Sequence, residues 1–102
     1  MRNVRIGAAQ IGGIQKAEGR QAVVARMRAL LDEAVARDCD LVVFPELTLT
    51  TFFPRWYIAD EDALDAWFET EMPNAATVPL FERAREAGVA ISFGYAEKTP
   101  EG

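Results

Sequence analysis

A chain of 102 residues has room for one small domain, which buries a smaller fraction of its surface than a larger one would. Half of the residues are apolar and 26% are charged, a balance that favours a folded chain over disorder, and no apolar run approaches the ~20 residues that span a bilayer. The formal charge of −5 comes from acids spread along the chain, and the basic residues form no run that could track a phosphate backbone, so neither membrane nor nucleic acid is an expected partner.

The opening stretch MRNVRIGAAQ lacks the long apolar segment of a signal peptide, and a reducing, cytoplasmic location is expected. Within it, residues 4–9 form a short apolar run bounded by Gly12 and Gly13, which predicts a buried strand. The glycine spacing fits neither GxGxxG nor a Walker A motif, which argues against nucleotide binding. From about residue 19 to residue 37 the apolar positions Val23, Met27, Leu30, Leu31, Ala34 and Val35 recur at helical spacing, with Arg20, Arg26, Arg28, Asp32 and Glu33 mostly elsewhere. Such an amphipathic helix needs a sheet to lie on. Asp38 is suited to end it, because Asp tolerates the left-handed conformation better than most residues.

Cys39 is the only cysteine, so the chain can form no internal disulfide. Its neighbours Asp38 and Asp40 disfavour a thiolate, and the residue reads as a small structural one rather than a nucleophile. Histidine is absent, which excludes a Ser-His-Asp or Cys-His arrangement and any His-ligated metal within these residues.

Residues 41–44 are apolar without alternation, as in a central parallel strand covered on both faces. Strand, helix and strand make a βαβ unit, and ligand sites in open α/β sheets lie outside the carboxyl ends of the strands. Glu46 falls there, directly after Pro45, which cannot donate to a ladder and helps end the strand. An acid at this point can also be a helix cap or a solvated turn residue. The aromatics Phe52, Phe53, Trp56 and Tyr57 then crowd around Pro54 and Arg55, either walling an apolar pocket or plugging the core.

Residues 60–72 are acidic, with Leu64, Trp67 and Phe68 as the inner face of a short helix and the acids as a solvated face. Pro73 and Asn74 predict a turn. A further helix is expected from residue 77 or 78 to residue 87, with Pro79 in its first turn, Leu80, Phe81 and Ala84 inward, and Gly88 as its cap. Residues 89–95 predict a third strand, in which Gly94 allows close approach of another backbone or a ligand. Residues 98–102 read as a turn.

Taken together, these segments resemble the nitrilase superfamily of carbon–nitrogen hydrolases. The first catalytic residue of that superfamily is the Glu of a VFPE-type segment, which is VVFPEL here, and the match carries the role onto Glu46. The VRIGAAQ strand, the long helix and the ISFGYAE strand agree in order and spacing, so the resemblance covers the whole chain. LTTFFPRW and ETEMP look more narrowly like the N-carbamoyl-D-amino acid amidohydrolase branch. The resemblance implies the N-terminal part of an αββα sandwich. It also implies hydrolysis of N-carbamoyl-D-amino acids to D-amino acid, ammonia and carbon dioxide, through Glu, Lys and Cys and without metal or organic cofactor. In that scheme a Cys thiolate attacks the carbamoyl carbon, Glu46 takes the thiol proton and later helps activate water, and a Lys stabilises the oxyanion.

The chain departs from the family pattern in length. The family's Lys and Cys lie beyond Gly102, and neither Lys16, Lys98 nor Cys39 matches them in position. Residues 1–102 are therefore expected to be the N-terminal part of a single hydrolase domain, with a small carbamoyl or amide substrate. Half a sandwich exposes a sheet face and edges, from which homo-oligomerisation is expected. Three other readings are a hydrolase of another ureido compound or amide, an inactive α/β module that acts only by association, and a flavodoxin-like binding module, although no phosphate loop is recognisable.

Overall fold

A computed structural model describes residues 2–102. In chain order it contains β1 (Ile6–Ala8), α1 (Arg20–Ala36), β2 (Leu41–Val43), a 3-10 turn (Phe53–Arg55), α2 (Glu61–Asp65), α3 (Val78–Ala87) and β3 (Ala90–Ser92). The three strands form one parallel sheet with β2 at its centre. This is the expected α/β class: a βαβ unit, further helices and a third strand.

Helix α1 forms where the apolar spacing predicts it. Its inner face is Val23, Val24, Met27, Leu31 and Ala34, while Leu30 and Val35 stay half-buried at its flanks. Val24 has a buried place that the spacing alone did not mark. Asp38 ends the helix with φ 59°, and the Cys39 N–H then donates to the Ala34 carbonyl at 3.1 Å. Helix α3 carries Pro79 in its first turn and ends on Gly88 at φ 68°. Its Leu80 and Ala84 join Met27, Leu31 and Val42 in the single core cluster. Met27, Leu31 and Leu80 are fully buried, and each contributes about 1.5–3 kcal/mol.

The register explains which sheet face is covered. Gly7, Val42 and Ile91 stand in one row under the helices, with Val42 fully buried. The rows Ile6, Leu41, Ala90 and Ala8, Val43, Ser92 point the other way. Two expectations are corrected here. Residues 4–9 are not a buried strand, since Val4 and Ile6 are 54% and 59% exposed, and β2 is covered on one face only, with Val43 exposed. The cause is that α1 and α3 pack against each other over the same side of the sheet. The opposite face is uncovered, as half a sandwich implies.

The strands are also shorter than expected, and the third ends early for a definite reason. After Ser92 accepts from the Phe44 N–H at 2.8 Å, the chain turns to bond the segment following β2. There Gly94 donates to the Pro45 carbonyl at 3.4 Å and accepts from the Thr48 N–H at 3.0 Å.

The acidic segment needs a correction as well. Asp60 caps α2 by accepting from the Asp62 and Ala63 N–H groups, and Glu61 and Asp62 are exposed, as a solvated face should be. Glu69 is different, being only 4% exposed. Both its carboxylate oxygens accept from Arg20 Nε, at 2.8 and 2.9 Å, and Asn74 Nδ2 reaches Oε1 at 3.3 Å. Its backbone pairs with the chain after β3, donating to the Ala96 carbonyl at 2.7 Å and accepting from the Lys98 N–H at 2.9 Å. One residue thus ties three segments together. No helix is long and apolar enough to cross a membrane among the described residues.

Candidate active site

Because β1, β2 and β3 run parallel, the loops after them emerge on one rim of the sheet. Residues 11–16 follow β1, residues 44–52 follow β2, and Gly94 follows β3. Glu46 sits on this rim in a turn just past the end of β2 and is solvent-exposed. The next residue, Leu47, has φ 46°, a left-handed value that a bulky side chain disfavours. Backbone in such regions costs about 1–3 kcal/mol and persists only where its surroundings enforce it. Those surroundings are Gly94 and the two backbone bonds it makes.

Gly94 meets its predicted role. A Cβ there would stand 3.2 Å from Glu46 Cα and 3.3 Å from Leu47 N, both backbone atoms that cannot swing aside. Gly94→Ala is expected to push against the Glu46–Leu47 turn and destabilise the protein by about 1–3 kcal/mol, the cost of overpacking closely approached atoms. Denaturant melts would check this, and an unmoved midpoint would mean that the close approach tolerates a Cβ.

Glu46 opens into a hollow of about 350 Å³. One side is the loop after β1, residues 11–16. The other is the segment from Pro45 to Trp56, including Thr48, Thr50, Thr51, Phe52 and Arg55. The residues of the aromatic loop divide. Phe53 is buried at 6% exposure outside the core cluster, stacked on Trp67 with centroids 6.0 Å apart and packed at 5.5 Å against Phe68. Phe52 and Trp56 line the hollow and keep 44% and 37% of their surface exposed. Tyr57 does neither and is almost fully exposed.

Thr48 is buried, and its Oγ1 is the one buried side-chain polar atom without a hydrogen-bond partner among the described residues. Leaving such a group unpaired costs about 1–3 kcal/mol. It too lines the hollow. Lys16 Nζ lies 4.9 Å from the Trp56 ring centroid, and the Arg55 guanidinium carbon lies 5.6 Å from it. Of the residues lining this hollow, the sequence marks Glu46 and the aromatics Phe52 and Trp56. Thr48 and Lys16 gave no local signal, because a Thr in an alternating run and a Lys in a glycine-rich loop have many other uses.

The loop after β1 is held by Arg26, which the spacing assigned simply to the outer face of α1. Its Nη2 donates to the carbonyls of Ile11 at 2.6 Å and Gly13 at 3.1 Å, and its Nη1 to Glu18 at 2.8 Å. Glu18 in turn accepts from the Gln15 N–H at 2.8 Å. That backbone bond, and then Arg26, hold the Glu18 carboxyl below its ordinary range.

A second hollow, about 520 Å³, lies beside β1 and α1 and is the larger of the two. It is not the better candidate. Arg37 there pairs with Glu33 at 2.8 Å, and the Arg5 guanidinium donates to the Arg37 carbonyl. Cys39 lies there half-buried, with its Sγ 3.2 Å from where a Cβ on Gly7 would stand, a packing position that suits a small residue. Lys98 is bound to Asp65 outside both hollows, and that hydrogen bond raises its pKa above the usual lysine value.

A family model described as carbon-nitrogen hydrolase matches residues 5–102.

Proposed function

Since the chain belongs to the carbon–nitrogen hydrolase family, we propose that the protein hydrolyses N-carbamoyl-D-amino acids, with Glu46 as general base. The three-stranded parallel sheet with α1 and α3 on one face is then part of a nitrilase-like fold. The 102 residues supply the N-terminal part of the domain and one wall of its active site. The observation that carries this reading is Glu46 itself. It is a carboxylate at the carboxyl end of the central strand, opening into a hollow with an aromatic side. LTTFFPRW supports the narrower substrate class through its resemblance to that branch, and its Phe52, Arg55 and Trp56 line the hollow.

In this mechanism Glu46 accepts the proton of a cysteine thiol contributed from outside residues 1–102. The thiolate then bonds to the carbamoyl carbon, and the covalent intermediate forms as the carbon–nitrogen bond breaks and the leaving nitrogen takes the proton from Glu46. Water, deprotonated by Glu46, attacks the same carbon and breaks the carbon–sulfur bond, and the sulfur takes that proton back from Glu46. The carboxylate is unchanged after each cycle.

Ammonia release by the full-length protein tests the assignment. N-carbamoyl-D-amino acids are expected to turn over, their L-isomers and simple amides far more slowly. Preference for simple amides would move the protein to another activity of the same family, and turnover of L-isomers at equal rate would remove the stereochemical part.

A further inference from the structure

Arg26 stands on α1, yet its guanidinium reaches out to the loop between β1 and α1 with three hydrogen bonds. One nitrogen, Nη2, serves two carbonyls, Ile11 at 2.6 Å and Gly13 at 3.1 Å. Gly12 between them has φ 79°, a left-handed value open to glycine, which lets the flanking carbonyls converge on that nitrogen. The glycine pair that fits no phosphate-binding motif has this use instead. The other nitrogen, Nη1, donates to Glu18 Oε2 at 2.8 Å. Glu18 closes the far end of the loop, since its Oε1 accepts from the Gln15 N–H at 2.8 Å and its own N–H donates to the Gln15 carbonyl at 3.0 Å. One guanidinium therefore grips both ends of residues 11–18. The grip is sheltered, with the Arg26 and Glu18 side chains 34% and 25% exposed.

We propose that Arg26 is a positioning residue for the candidate site, holding this loop as a fixed wall of the hollow beside Glu46 and so setting the affinity for substrate. This rests on the reading of the protein as a carbamoyl-amino acid hydrolase. Residues 11–16 form one side of the hollow, and Lys16 Nζ rests 4.9 Å from the centroid of the Trp56 ring on the other side. A loop with two glycines and no regular structure has many conformations open to it once its partner is removed. Few of them place the wall opposite Phe52 and Trp56. Apparent affinity falls by the fraction of molecules in which the wall is in place. Glu46 belongs to the other loop, after β2, so the bound substrate is expected to react at its usual rate.

The test uses the full-length protein, amide hydrogen exchange, and steady-state kinetics with N-carbamoyl-D-alanine. Arg26→Gln is expected to speed exchange of the Gln15 and Glu18 amides about tenfold, with amides in β2 and α3 unaffected, and to raise KM about tenfold with kcat kept, the size of one charged hydrogen bond. Arg26→Lys keeps the charge without the planar fork and should restore only part of both. The double variant Arg26→Gln/Glu18→Gln should be no worse than Arg26→Gln, because the two side chains act as one clasp. Effects that add would separate the two residues and overturn that clasp. Faster exchange throughout β2 and α3 would overturn the proposal and make Arg26 a general support of the fold. An unaltered KM would overturn it too, whether or not the loop is freed. If the wild-type protein releases no ammonia from N-carbamoyl-D-alanine, the hydrolase reading fails, and exchange decides the positioning role by itself. Loss of protection confined to residues 11–18 in Arg26→Gln would then sustain it, and unchanged protection there would sink it.

Discussion

Glu46→Gln in the full-length protein is expected to lower kcat for carbamoyl hydrolysis by about 10²–10⁴-fold, the usual contribution of a general base. The amide keeps the size of the side chain and its exposure in the turn, so folding should be unaffected. It cannot accept the thiol proton, and KM should change little, since Gln retains a hydrogen-bonding group facing the hollow. Two controls sharpen the result. Glu46→Asp should recover part of the rate, because it shortens the reach without removing the base. A substitution at Glu61, exposed on α2 and outside the hollow, should leave the rate alone. Ordinary turnover by Glu46→Gln would remove the residue from the mechanism and, with it, the observation on which the proposed function rests.

The second large effect concerns stability. Glu69→Ala is expected to destabilise the protein by about 3 kcal/mol, near the lower end for breaking a buried ion pair. The lower end applies because Arg20 is 29% exposed and keeps some contact with water, whereas Glu69 is 3% exposed at its side chain. The loss goes beyond one pair. Arg20 also donates to the Ala66 carbonyl at 2.7 Å, so the carboxylate holds a guanidinium that fixes the chain just before Trp67 and Phe68. Those two rings pack on Phe53, and Phe53 anchors the loop whose neighbours Phe52 and Trp56 line the hollow. Glu69→Gln keeps an acceptor for Arg20 and should cost less. Denaturant melts with unchanged slope would measure both. A midpoint unmoved by Glu69→Ala would show that the pair carries no net stabilisation, as happens when desolvation cancels attraction.

These two acids differ in how far local sequence reveals them. Glu46 is legible because short-range chemistry marks it: an apolar strand, a proline that ends it, and then the acid, within a segment that also resembles a family motif. Glu69 is not legible. It stands among Glu61, Asp62, Asp65 and Glu71, and composition assigns all of them to solvent. What buries it is Arg20, 49 residues away along the chain. The aromatic loop is an intermediate case. Its composition says that rings must be sheltered, and the path of the chain decides that Phe53 turns inward while Phe52 and Trp56 face the hollow.

The order of strands and helices, the left-handed stops at Asp38 and Gly88 and most of the inner faces of α1 and α3 follow from residue type and spacing, each governed by local backbone preference or by the period of a helix. The role proposed for Glu46 comes instead from the resemblance of VVFPEL to a family motif. Three other features needed the assembled chain. They are the choice of covered sheet face, the burial of Glu69, and the meeting of Lys16 with Arg55 on one indole. A strand's alternation defines two faces without saying which one a helix will cover, and a charged side chain does not announce a partner tens of residues away. Such contacts depend on where the helices lie and how the loops return, and these are properties of the packed structure.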